Sequence, residues 1–382
     1  ATVSRYVTTN TIGYARLNNP LITSINSTTR VWGDANGDFI PQLSELGPLA
    51  NAAFGQVRPS VVYDKSLSEG WGVRPGNWEY SAGFQHELRP GLGVDLAWFR
   101  RQYFNFYALV NEAVTTADFN PYCITAPTDS RLGSASGSQI CGLYDVIPSK
   151  FGQISTHAYN LNKYGGGNQT YNGFDLQTTA RLKGGAFIQG GISTGRIAFD
   201  LCNGDFAGSI TTASQIPLGN GVATSETLNF PNKRFCNTTY PYQLQGKLSG
   251  SYTMKYDIQL SGTFQTYPGP QIKADWTAPA NVATTNGGTL GRALSGNVAT
   301  VTIPLVSPNQ LFGERRNQLD VRVARNFRFG GNKKIQVLWD LYNVMNANPV
   351  VNQNNNFGTS RWQEPTNVLI GRFFKFGAQL QF

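Results

Sequence analysis

The chain has 382 residues, 42 of them Gly, with 12% aromatic and only 14% charged residues, and a formal net charge of +9. Charge this sparse, against about 25% in ordinary globular chains, together with plentiful Gly, Tyr, Phe, Asn and Thr, suits many strands joined by turns and polar loops. No run of roughly 18 apolar residues occurs, which excludes a transmembrane helix but not a membrane, because a barrel strand needs only ~9–11 residues. The positive charge does not imply nucleic acid: the basic residues are scattered and form no helical or aromatic-interleaved stripe.

Successive side chains of a strand point to opposite faces, so each segment can be tested for alternation. Ten segments read as strands. The first, 2–8, is short. The second, 78–88, sets Trp78, Tyr80, Ala82, Phe84 and Leu88 on one face, and Arg89-Pro90-Gly91-Leu92-Gly93 turns the chain. The third, 94–107, alternates through Val94, Leu96 and Trp98 and then becomes aromatic. The fourth, 171–182, opposes Phe174, Leu176, Ala180 and Leu182 to Asp175, Gln177, Thr179 and Arg181. Lys183-Gly184-Gly185 leads into the fifth, 186–197.

The sixth, 242–254, is the clearest: Tyr242, Leu244, Leu248, Tyr252 and Met254 oppose Gln243, Gln245, Lys247, Ser249 and Thr253. A tight link at 255–257 opens the seventh, 258–267. The eighth, 319–329, sets Leu319, Val321, Val323, Phe327 and Phe329 against Asp320, Arg322, Asn326 and Arg328. Gly330-Gly331-Asn332 is a hairpin signal into the ninth, 334–344. The tenth, 368–382, ends on Phe374, Phe376, Ala378, Leu380 and Phe382 against Lys375, Gly377, Gln379 and Gln381.

Short links join strands two and three, four and five, six and seven, and eight and nine. Long polar stretches join all the others. This strict alternation predicts an all-β, antiparallel up-and-down transmembrane β-barrel, with short periplasmic turns and long extracellular loops, in the bacterial outer membrane. Residues 1–382 read as one barrel segment. Structureless loops beyond ~15 residues are rare in compact domains, which counts against the alternative of a secreted soluble β-protein. Arg325, Arg372 and His86 lie on the apolar faces and are expected near an interface or snorkelling. No signal peptide starts at Ala1, so the expectation is that it has been removed or that the chain begins inside a larger protein.

Cys123, Cys141, Cys202 and Cys236 fit no zinc spacing. Each neighbouring pair sits in one polar stretch, which predicts two local disulfides, Cys123–Cys141 and Cys202–Cys236, formed in an oxidising compartment. No Ser-His-Asp order, G-x-S-x-G or H-E-x-x-H occurs, and the chain has only two histidines, His86 and His157, so an enzyme is not expected.

The run from Asn317 to Phe327 (Asn-Gln-Leu-Asp-Val-Arg-Val-Ala-Arg-Asn-Phe), the run from Val337 to Asn346 (Val-Leu-Trp-Asp-Leu-Tyr-Asn-Val-Met-Asn) and the Phe-ended last strand resemble the C-terminal strands of TonB-dependent receptors. Two further segments, Trp32-Gly33-Asp34-Ala35-Asn36-Gly37-Asp38-Phe39-Ile40-Pro41 and the stretch from Gly70-Trp71-Gly72 to Ser81-Ala82-Gly83, look like the Oar-like group of that family, common in Acidobacteria. The resemblance implies a plugged barrel of about 22 strands, of which this chain supplies the C-terminal part, with no recognisable plug, TonB box or carboxypeptidase-regulatory-like domain. It implies uptake of a bulky extracellular ligand, with the TonB complex acting through a plug missing from this chain and with outer-membrane lipid or lipopolysaccharide around the wall. A non-transport surface protein displaying large loops for adhesion is the second reading.

On the polar faces, Asp175, Arg181, Lys247, Asp320, Arg322, Arg328, Asp340 and Lys375 are expected to line the lumen. Asp34, Asn36 and Asp38 space oxygen ligands as in the first half of a calcium loop, with Glu45 at the twelfth position, but Phe39 stands where that loop needs Gly. An Asx-type turn is the alternative, and no other cofactor is expected. Trp78, Trp98, Tyr103, Trp339, Tyr342 and Phe373 are candidates for interfacial aromatic girdles. Trp32, Trp71, Trp276 and Trp362 are loop aromatics that either stack on a ligand or pack loop on loop.

Overall fold

The computed structural model describes residues 1–8, 12–212, 227–330 and 333–382. Ten strands form one wall, each hydrogen-bonded to its chain neighbour: β1 (Thr2–Val7), β2 (Gly76–Arg89), β3 (Leu92–Phe104), β4 (Asn168–Arg181), β5 (Phe187–Asp200), β6 (Gln243–Met254), β7 (Ile258–Tyr267), β8 (Arg316–Phe329), β9 (Lys333–Tyr342) and β10 (Phe373–Gln381). Every pairing is antiparallel. These are the ten segments expected from alternation, and the wall is an antiparallel up-and-down sheet of the transmembrane-barrel class. Among the described residues, β1 and β10 are its two borders.

Register keeps chemistry sorted across the strands. Leu176 faces Leu96 on one side and Ile192 on the other, while its neighbour Asp175 faces Ala97 and Ser193. A one-residue slip would exchange the two faces. The apolar face has no layer packed on it: Leu96 is 48% exposed, Leu248 49%, Leu380 59% and Phe376 77%. Soluble monomers seldom leave so broad an apolar surface bare, and no helix among the described residues is long and apolar enough to span a membrane. This is the surface that hydrocarbon would cover. The polar groups on it sit toward its rims. Arg372 immediately precedes β10, His86 lies three residues from the end of β2, and the Arg325 guanidinium lies over Phe327, 4.7 Å from the ring centre.

The short links lie together at one rim. Gly91 turns β2 into β3 at φ 83°, and a Cβ there would stand 2.5 Å from the Arg181 carbonyl oxygen, so only Gly serves. Tyr256 and Asp257 turn β6 into β7 with positive φ. Phe329 pairs with Lys333 across the β8–β9 turn; Gly331 and Asn332 of the expected hairpin signal lie outside the described residues.

Three sequence expectations need correction. The tenth strand, expected from residue 368, begins at Phe373, because Val368 pairs with Val350 in a small hairpin of the preceding loop. The third strand, expected to reach residue 107, stops at Phe104. Asn105 takes φ 56° and donates through Nδ2 to the carbonyls of Gly72 (2.5 Å) and Arg74 (3.0 Å), which redirects the chain. Tyr107–Asn111 then joins a separate sheet with Thr156–Asn160 and Gly208–Thr211. The long connections are likewise not structureless. They carry strands and short helices and close two hydrophobic cores. One gathers Phe106, Val110, Tyr159, Leu201, Phe206, Ile210 and Phe230 around the outer ends of β3 and β5, where Tyr103, Ile197 and Phe199 enter it. The other gathers Tyr122, Ile124, Leu143, Ala278, Ile303, Phe357 and Trp362 from three different loops.

Candidate functional site: the polar face and the outer loops

The eight charged residues expected on the polar face share it in the register, in three groups. Asp175 and Lys247 line one open hollow of about 480 Å³ with Gln177, Gln189, Ser193 and Gln245, and Asp175 Oδ1 accepts from Ser193 Oγ at 2.5 Å. Arg322 donates to both oxygens of Asp340 (2.5 and 3.0 Å), and Lys375 stands opposite Asp340 on β10. Asp320, one step along that face, accepts from Gln318 Nε2 and from the Asn343 N–H. Arg181 and Arg328 are apart from these, at the turn rim: Arg328 pairs with Asp257 (3.0 Å) and Arg181 lies over Phe187. The face as a whole is polar, with hydroxyls and amides outnumbering charges.

Sequence reading missed a further pair on the same face, Arg101 with Glu79 at 2.6 Å. The run Phe99-Arg100-Arg101-Gln102 hides the alternation there, and the only available signal was the parity of Glu79 on β2. Beside it the Tyr171 ring lies across two glycines. A Cβ at Gly173 or Gly195 would come within 2.4 or 2.5 Å of the Tyr171 oxygen, so both must be Gly for the ring to lie flat.

The aromatic girdle is corrected in part. Trp78, Trp98 and Trp339 share the apolar face, with Trp339 stacked on Phe374. Tyr342 and Phe373 instead share the polar face, stacked with ring centres 4.6 Å apart, and Tyr103 is buried in the first loop core. Closeness to a strand end does not set the face; parity does.

In the loops, the cysteines pair as Cys123–Cys141 and Cys202–Cys236. Asp34, Asn36 and Asp38 are turned onto their own backbone. Asp34 accepts from the N–H groups of Gly37 (2.7 Å) and Phe39 (3.1 Å), Asn36 from Asp38 (3.0 Å), and Asp38 from Ile40 (2.8 Å). Glu45 closes the loop through the Trp32 indole and the Ala35 N–H, both at 3.1 Å, and the indole bond is the main cause holding its carboxyl below the usual range. This is the chemistry of nested Asx turns. Among the described residues no group of three or more His, Cys, Asp or Glu side chains is gathered in metal-binding geometry.

Of the loop tryptophans, Trp362 is 3% exposed, meets Phe357 edge-on and carries the Arg131 guanidinium on its face. Trp276 packs against the same core, Trp32 is held by Glu45, and Trp71 is 96% exposed. His157 sits 3.3 Å from Glu112, which also accepts from the Tyr159 hydroxyl and so drives that phenol upward.

The wall and its two rims thus define a barrel-type membrane sheet crowned by a folded outer mass. No protein-family model matches the chain, and no curated protein matches it. Solved structures that are similar at low identity include three outer-membrane proteins. The outer membrane transporter YddB from Escherichia coli is 12% identical, over 80% of this chain and 32% of that one, with a TM-score of 0.37. The Pseudomonas putida toluene transporter TodX is 10% identical, over 81% and 61%, with a TM-score of 0.24. The ferric-catecholate import receptor Fiu from Escherichia coli is 11% identical, over 81% and 45%, also at 0.24. The chain spans less than two thirds of the length of each.

Proposed function

We propose that this chain is the C-terminal barrel portion of a TonB-dependent receptor of the bacterial outer membrane, serving the uptake of a bulky ligand. The observation that carries the reading is the division of the wall: four short turns on one rim, five long excursions built into a folded mass on the other, and a bare apolar face between them. Lipid and lipopolysaccharide would cover that face. An extracellular ligand would meet the outer loops first. A plug supplied by another part of the receptor would sit against the polar face, where Asp175, Lys247, Asp320 and the Arg322–Asp340 pair offer it hydrogen bonds. TonB would act through that plug, and no catalytic step is involved.

TonB dependence rests on the resemblance of residues 317–327, 337–346 and the Phe-ended strand. The Oar-like type rests on residues 32–41 and 70–83. A second reading, a surface protein displaying its loops for adhesion, draws on the disulfide-bonded order of those loops. Two measurements separate these readings on the intact gene product in its native cell. Recovery in the outer-membrane fraction after carbonate extraction is expected, and a soluble protein would remove both membrane readings. A site-specific crosslink to the periplasmic domain of TonB is expected next. Its absence from a correctly inserted protein would leave only display.

A further inference from the structure

A row of side chains crosses the loop end of the wall's apolar face. Residues paired across neighbouring strands share a face, which sets Tyr80 of β2, Arg100 of β3, Asn172 of β4 and Arg196 of β5 side by side. Arg100 Nη1 donates to Asn172 Oδ1 at 3.2 Å, and the Arg196 guanidinium lies over the Tyr242 ring beside β6, 4.8 Å from its centre. Both heads lean the same way across the sheet, so they keep the spacing of two strands, about 10 Å. Arg196 is exposed and Arg100 half-buried. Neither is in an ion pair with a carboxylate of the described residues. Asp200, the next carboxylate outward on β5, accepts from the Cys202 N–H and from Asn237 Nδ2, both at 3.2 Å, and on the opposite face Glu79 holds Arg101. Leu92, Ala180 and Ile188 form the row nearest the turns on β3, β4 and β5. The eight residues from Leu92 to Arg100 span about 27 Å at ~3.4 Å each, and a ~40° tilt leaves about 20 Å along the membrane normal, against an apolar band of about 25 Å. The arginines therefore stand where hydrocarbon gives way to headgroups.

We propose that Arg100 and Arg196 hold a lipid of the outer leaflet whose headgroup carries two phosphates, one on each guanidinium, with its acyl chains lying inward over Trp98, Phe174 and Leu176. Charge complementarity picks the headgroup. A guanidinium takes phosphate oxygens in a two-pronged fit, and a hydrogen bond reaches only about 3 Å, so one phosphate does not bridge heads two strands apart. Continuity picks the lipid. Trp98, Phe174 and Thr194 form the row directly inward, and Leu96, Leu176 and Ile192 the next, so a headgroup seated on the arginines has bare apolar surface on its tail side. An arginine at this depth that served only to reach water would extend its head outward; the Asn172 bond and the Tyr242 ring keep both heads at the sheet surface. The inference rests on the reading of this face as lipid-covered, and holds whether the loops serve transport or adhesion.

The test is native mass spectrometry of the intact gene product purified in detergent, titrated with bisphosphorylated lipid A and with its monophosphorylated form. The bisphosphorylated lipid is expected to bind about tenfold more tightly, and millimolar inorganic phosphate is expected not to displace it. Arg100→Gln and Arg196→Gln are each expected to remove the preference, while Arg325→Gln, at the turn rim of the same face, leaves it. Where Arg100→Gln fails to fold, shown by lost heat-modifiable gel migration, Arg196→Gln at the exposed position carries the test. Equal affinity for the two lipids, displacement by inorganic phosphate, or an equal loss in Arg325→Gln overturns the proposal. A gene product released by carbonate extraction would end the membrane reading and this proposal with it, a result distinct from lost preference in an inserted protein.

Discussion

The wall and the outer loops of this chain solve the same problem, burial of apolar side chains, in opposite ways. The wall buries almost nothing within itself. Apart from the small Ala180 and Ala324, its buried apolar side chains are Tyr103, Ile197 and Phe199, and these stand at the outer strand ends, inside a loop core. Its stability in isolation comes from backbone ladders, and its apolar face is finished by solvent of another kind. The loops enclose their own cores and tie them with two disulfides. One region therefore answers to the bilayer and the other to packing, and substitutions should separate them.

The largest effect is expected inside the second loop core. Trp362→Ala removes a side chain held by Phe357, by Arg131 and by donation to the Lys273 carbonyl at 2.8 Å, and should cost about 3–5 kcal/mol locally. Limited proteolysis should then cut residues 268–315 and 343–372 while the wall stays protected. The reverse is expected for Leu248→Arg, on the apolar face midway along β6. It should cost about 2–4 kcal/mol of insertion at the bilayer midplane, read by urea titration of folding in lipid vesicles. The neighbouring Ser249→Arg, on the polar face, should change insertion by about 0.5 kcal/mol or less. Equal costs at 248 and 249 would break the assignment of faces.

Removing Cys202–Cys236 by double substitution to Ser should destabilise the first loop core by about 2–4 kcal/mol and leave wall insertion unchanged, measured by thermal melting with and without reductant. The smallest effect is a pH dependence in the 32–45 loop. The Glu45 carboxyl is held below the usual range by the Trp32 indole. Its contribution is complete above the ordinary carboxylate pKa, near about 4.3, and fades as pH falls through the lower folded value. The Trp32 indole N–H resonance should move only in that acid window, and Glu45→Gln should abolish the movement.

How much was legible follows the same division. All ten wall strands could be read because a two-residue period needs only local sequence, and Leu176 against Asp175 is enough to fix a register. The hidden Arg101–Glu79 pair and the misplaced Tyr103, Tyr342 and Phe373 mark where aromatic or basic runs blur parity. The loops were opaque for a different reason. Tyr122, Ala278 and Trp362 share one core but come from three separate loops, and their apolar neighbours carry no period. The disulfides were readable because each closes within one stretch.

The borders β1 and β10, which among the described residues pair on one side only, carry a consequence of their own. Amides facing inward from a border have partners, and those facing outward have none until another ladder arrives. Deuterium uptake at alternate positions of β10 is therefore a gauge of circumferential completion. Residues whose N–H already points to β9 would be slow from the start, and the intervening ones would become slow only where a further strand pairs with β10.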